Sequence, residues 1–151
     1  MKNNHYKKFL YMLIVSFVIM YAVMFLNVDQ VEHVYLSATR VYTTLLMVAP
    51  MAVVMLLMMR NMYEDKKLNM VIYASSAVVF VGALFFLRNQ VLVADEQYMK
   101  AMIPHHSSAI MVSQKANIKD PELKKLADEI IKSQVKEIAE MKAILKRMDE
   151  E

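Results

Sequence analysis

This 151-residue chain has no cysteine, no tryptophan, a single glycine and three prolines. The missing thiols exclude disulfides and thiolate metal sites, and leave no cysteine usage from which to read a redox compartment. So little glycine beside sixteen methionines and a 58% hydrophobic composition is not the make-up of an ordinary soluble domain. Charge of one sign is scarce too. The formal net charge is +3, with eight basic and four acidic side chains in residues 1–94 against ten and eleven in residues 95–151. The second part is near neutral with its signs interspersed, which describes a solvated face and argues against nucleic acid as a partner.

The apolar content lies in residues 9–87, chiefly in three runs at 9–26, 41–59 and 70–87. As α-helices these runs each cover about 27 Å, close to the hydrocarbon thickness of a bilayer. Only a helix or a closed barrel satisfies its backbone in lipid, so residues 1–94 are expected to form a three-span membrane domain surrounded by lipid. Lys7 and Lys8 ahead of the first run would suit a signal peptide. That run is longer than a usual signal core, and Leu26-Asn27-Val28-Asp29 lacks a small-x-small cleavage pattern, so a retained anchor is expected.

Six basic residues flank one side of the spans (Lys2, Lys7, Lys8, Arg60, Lys66, Lys67) and two the other (Arg40, Arg88). The excess belongs in the cytoplasm, which puts the N-terminus inside and residues 88–151 outside. No Asp, Glu, Lys, Arg or His interrupts the spans, so a proton relay or ion pump has no visible machinery. Met47, Met51, Met55, Met58 and Met62 share an arc of about 80° on a continuous helix. They read first as gap-fillers between helices and only second as a thioether track. Pro50 is expected to kink this span.

Residues 95–151 read as a helical hairpin. Asp95 suits an N-cap for a helix running to Ala116, kinked at Pro104. Asp120 and Pro121 mark the start of a second helix ending near Met148. Ala127, Ile131, Gln134, Ile138, Met141, Leu145 and Met148 keep a 4-3 spacing along it. Gln134 interrupts this seam with an amide that needs a partner, for which a histidine on the first helix would serve. On the first helix Met99, Met102, His105 and His106 fall on one broad face, which Tyr98 and Ile110 extend, while Met111 points the other way. Two such helices cannot enclose a core alone, so two chains are expected to dimerise into a four-helix bundle.

Imidazole nitrogen and thioether sulfur together form a ligand set that favours copper, Cu(I) above Cu(II), over hard cations. The candidate metal ligands are Met99, Met102, His105 and His106 on the first helix and Glu137 and Met141 on the second, with Glu137 either a ligand or an acceptor that orients a histidine. Adjacent histidines point about 100° apart on a helix. His106 is therefore expected inward with Met99 and Met102, and His105 on the other flank or toward a partner chain. His5 and His33 read as bland, although His33, which follows Glu32 in the outer loop, could touch the metal domain.

Residues 95–148 resemble the bacterial family known as domain of unknown function 305. The resemblance rests on Asp95, Met99, the string Met102-Ile103-Pro104-His105-His106, Ala109-Ile110-Met111, Leu126-Ala127, Ile130, Gln134, Glu137, Ile138 and Met141. It implies a ferritin-like helical bundle, often secreted or membrane-anchored, with copper-binding periplasmic proteins among its members. Two His-His units per chain are common there. One occurs here, in line with assembly from two chains.

The expected whole is an all-α protein of a bacterial inner membrane whose periplasmic or extracellular hairpin binds copper, or another transition metal, and dimerises or assembles further. A metal-donor or acceptor protein is a conceivable partner. The competing reading is a membrane-anchored oligomerisation or interaction module with no metal role. An enzyme is not expected. Di-iron oxidases need Glu-x-x-His pairs, absent from residues 88–151, and no third group accompanies Ser107, Ser108 and His106 as a nucleophile set.

Overall fold

The computed structural model describes residues 2–150, with side chains from Asn4 onward. Five α-helices follow one another: α1 (Lys2–Val23), α2 (Ala38–Met58), α3 (Lys66–Arg88), α4 (Asp95–Lys115) and α5 (Pro121–Glu150). A single 3-10 turn, Val31–His33, lies between α1 and α2, and no strand occurs among the described residues. The protein is all-α. Three of its helices, over Asn4–Val23, Ala38–Met58 and Lys66–Arg88, are long and apolar enough to cross a membrane.

Helix ends differ from the apolar runs by a few residues because capping, not hydropathy, sets them. α3 begins at Lys66, where Asp65 Oδ1 accepts the backbone N–H groups of Lys67 and Leu68 at 3.0 Å each. α1 stops at Val23, short of Leu26. Between α3 and α4, Gln90 and Leu92 adopt positive φ (49° and 61°), which breaks the helical course without glycine or proline.

The chain forms two units, residues 1–23 with 39–91, and residues 24–38 with 92–151. The segment 24–38, grouped with the spans in the sequence reading, thus belongs with the hairpin. In the first unit Phe9, Ala52, Leu56 and Tyr63 are buried together. The Tyr6 and Phe9 rings each lie 5.3 Å from that of Tyr63. Tyr6 donates its hydroxyl to Asn69 Oδ1 at 2.9 Å, and Asn69 Nδ2 donates to the Tyr63 carbonyl at 2.7 Å. Within α2 the Thr43 and Thr44 hydroxyls bond the carbonyls of Thr39 and Arg40, so no polar group of theirs needs water. The expected methionine row is not continuous. Met47 and Met58 are exposed, Met55 packs at the core edge, and Met62 lies beyond the end of the helix.

In the second unit α4 and α5 form the antiparallel hairpin. Asp120 Oδ1 accepts the Leu123 N–H at 2.8 Å, the expected cap of α5. Asp95 is the first residue of α4 and not its cap, which is Ala94. Its carboxylate still sits favourably in the first turn. Met99, Ile103, Ile110, Ile138 and Leu145 make the core, edged by Tyr35, Ile131, Met141 and Met148. The α5 seam faces inward as its spacing predicts. On α4 the inward row is Met99, Ile103, His106 and Ile110, rotated away from Met102, and Tyr98 is therefore exposed.

Removing volume from this core should be costly. Ile103→Ala and Ile138→Ala are each expected to destabilise the hairpin by about 2–4 kcal/mol, while Lys132→Ala, at an exposed position, should stay within about 0.5 kcal/mol. Thermal unfolding of the full chain in detergent micelles, followed by circular dichroism, checks the contrast.

Candidate functional site

His106 is buried, 8% exposed, on the face of α4 that meets α5. Its Nδ1 lies 2.9 Å from the Met102 carbonyl oxygen. A carbonyl only accepts, so Nδ1 carries the proton in that bond. Its Nε2 lies 2.7 Å from Glu137 Oε2 on α5. The other carboxylate oxygen, Oε1, accepts the Ser133 hydroxyl at 2.6 Å. The Ser133 hydroxyl first, and the His106 ring after it, hold the Glu137 carboxyl below the usual carboxylate range. The Nδ1–H bond to a backbone carbonyl fixes the orientation of the ring; Nε2–H donates to the Glu137 carboxylate, and that proton would have to leave before Nε2 could ligate a metal.

The other candidate ligands lie around this pair in unequal positions. Met99 is buried in the core, and Met102 and Met141 are half-buried, Met141 one turn beyond Glu137. His105 is exposed, its ring centre 6.0 Å from that of His106 and inclined at 69°. It does not turn inward, one of the two places expected for it. Gln134 is half-buried and bonds nothing on α4 among the described residues; Glu137 makes the histidine contact instead. No three His, Asp or Glu side chains gather as a metal site among the described residues. A closed nitrogen and oxygen site of the zinc type therefore does not fit a single chain.

Sequence reasoning missed the residues on the far side of α4. Ser107 is fully buried. Its Oγ accepts the backbone N–H of Asp29 at 2.7 Å and lies 2.8 Å from His33 Nδ1. Asn27 Nδ2 donates to Ser108 Oγ at 2.7 Å, and Gln97 Oε1 accepts the Ala38 N–H at 2.9 Å. The segment 24–38 is thereby stitched to α4 directly after the histidine pair. His33 is not bland but 5% exposed. The one available signal was a run of polar residues, Asn27, Asp29, Gln30, Glu32 and His33, between the first two apolar runs. Burial lowers the His33 value below the ordinary 6.5, and Lys142 adds to this against Asp29 and Glu32.

This gives a pH dependence of definite sign. The unfolded chain protonates at His33 before the folded one, so attachment of the segment is at full strength above 6.5 and weakens as pH falls through the lowered folded value. Protection of the Asp29 amide against hydrogen exchange, corrected for intrinsic rate, should fall between about pH 7 and pH 5, and His33→Gln should flatten that dependence. The Glu137 contribution is lost only at the lower pH of carboxylates, so the two are separable.

No solved structure matches the chain. An uncharacterized protein of Acanthamoeba polyphaga mimivirus is 37% identical over 139 residues, 90% of each chain. That similarity reaches well beyond the hairpin into the apolar helices. The family described as "Domain of unknown function (DUF305)" matches residues 83–145, which hold the His105-His106 pair, Ser107 and Glu137. On the family match and the relative together, the chain belongs to the domain of unknown function 305 family.

Proposed function

We propose that the protein is a membrane-anchored, non-enzymatic metal-binding protein, with copper as its ion and Cu(I) preferred to Cu(II). The observation that supports this most is His106 Nε2 at 2.7 Å from Glu137 Oε2 with Nδ1 already committed to the Met102 carbonyl. Such a pair offers one nitrogen and one oxygen on adjacent helices. Met141, Met102 and Met99 are the sulfur donors that the same two helices carry, and His105 is offered to a second copy. The lysine and arginine asymmetry of the loops supports a cytoplasmic N-terminus with the hairpin across the membrane, in the periplasm or outside the cell of a bacterium.

Assembly from two copies is part of the proposal. On α5, Leu126, Ile130 and Ile144 lie within about 20° of Glu137 around the helix, and all three are exposed. On α4, Tyr98, Met102, His105, Ala109 and Val112 keep a 4-3 spacing outside the core, with Tyr98, His105 and Val112 exposed. This flank carries a second seam on each helix, which suits a four-helix bundle closing over His106 and Glu137. The same flank also favours the competing reading, an oligomerisation module without metal.

Two measurements separate these readings. Competition titration of the full chain with Cu(I) should give a dissociation constant below about 1 μM, weakened at least tenfold by His106→Ala and by Glu137→Ala. Absence of binding, or binding indifferent to His105→Ala with His106→Ala, rejects the metal role. Sedimentation in micelles should show a dimer that Ile130→Lys with Val112→Lys dissociates. A monomer at every concentration of wild-type protein rejects the assembly.

A further inference from the structure

The three apolar helices leave between them a groove of about 500 Å³. Tyr6, Lys7 and Leu68 mark its mouth, and Leu13, Leu45 and Val79 its deep end, near the middle of α1, α2 and α3. Away from the mouth only the Ser75 and Ser76 hydroxyls are polar, and Ser75 Oγ donates to the Ile72 carbonyl at 3.0 Å. From Leu68 to Val79 the groove follows α3 for roughly 16 Å, about half the hydrocarbon thickness of a bilayer. A groove that ends in mid-membrane suits an alkyl chain that ends there. It does not suit a further helix, which must run the full depth to satisfy its backbone.

The mouth is basic. α1 and α3 begin at the same end, pinned by the Tyr6 hydroxyl, which donates to Asn69 Oδ1 at 2.9 Å and accepts the Asp65 N–H at 3.1 Å. Residues 4–8 and 60–67 carry five basic side chains, Lys7, Lys8, Arg60, Lys66 and Lys67, against two acidic ones. All five are exposed, and none is in an ion pair among the described residues. Of the two carboxylates, that of Asp65 is turned to the first N–H groups of α3. Basic clefts between membrane helices attract anionic headgroups.

We propose that this groove seats one acyl chain of an anionic phospholipid whose headgroup meets Lys7 at the mouth, in the leaflet on the side of the basic excess. The inference rests on the reading of α1, α2 and α3 as membrane spans. It uses no residue of the hairpin, so it stands or falls independently of copper binding.

Dioleoyl phosphatidylglycerol is the probe, with dioleoyl phosphatidylcholine as the control of equal chains and no net charge. Native mass spectrometry of the full chain released from detergent micelles should show one retained phosphatidylglycerol per chain, held about tenfold more tightly than phosphatidylcholine. Lys7→Gln should lower that preference about fivefold. Ser75→Leu, which fills the groove and alters no charge, should remove the retained lipid. Excess inorganic phosphate should not displace it, since the alkyl chain supplies much of the hold. Equal retention of the two lipids, displacement by phosphate, indifference to either variant, or a second copy of the chain in place of the lipid overturns the proposal. Resistance of the full chain in vesicles to an alkaline wash tests the membrane reading separately: a chain that stays but shows no lipid preference refutes this proposal alone.

Discussion

A buried imidazole must find a place for two nitrogens, and His106 divides them between its own helix and the one facing it. The bond to the Met102 carbonyl fixes the ring. The contact with Glu137 then fixes the register of α4 against α5, because a shift of either helix by one residue would carry the carboxylate about 100° away. The apolar core could tolerate such a slip more easily, since Met99, Met141 and Met148 are adaptable side chains. The polar pair is therefore the most specific contact in the hairpin, and Ser133 strengthens it by holding the carboxylate from behind.

The neighbouring residue shows the same logic on the opposite side. Ser107 is buried, so its hydroxyl needs partners, and they come from a segment 74 to 78 residues earlier in the chain. This explains why residues 24–38 fold with the hairpin although they connect two apolar helices. Without Asp29, His33 and Asn27, the Ser107-Ser108 face of α4 would lose these bonds and stay open to water. A linker has become a third layer of the hairpin.

Much of this could be read from the chain alone, and the exceptions share a cause. The three apolar helices, the turn at Asp120-Pro121 and the inward seam of α5 follow from local pattern, since burial repeats with the period of a helix. The inward facing of His106 and the choice of Glu137 beside it also followed from spacing. What spacing could not give is rotation: the core row of α4 is turned from Met102 toward Ile103, which exposes Tyr98 and His105. Nor could it give contacts across the chain. Ser107 looked like an idle hydroxyl and His33 like a surface residue because their partners lie far off in sequence. The grouping of residues 24–38 with the hairpin escaped for the same reason, as a loop's allegiance is decided by hydrogen bonds that no periodicity announces.

The hairpin's two flanks are consequently unlike, and the difference bears on function. The flank of α5 at Lys142 and Ala139 borders a cavity beside the 29–33 segment, so it is closed from within the chain. The flank at Glu137 is bordered by Leu126, Ile130 and Ile144, exposed apolar side chains that no segment of the hairpin unit covers among the described residues. Three large apolar residues beside an ionised carboxylate are poorly placed for solvent, and that carboxylate, partnered by His106 and Ser133 alone, is poorly placed for a dry interface. A cation held between Glu137 and His106 would remove the second difficulty while a second chain removed the first. Metal and dimer are therefore coupled in the proposal: the charge that makes this flank costly to bury is the same charge that the ion would neutralise.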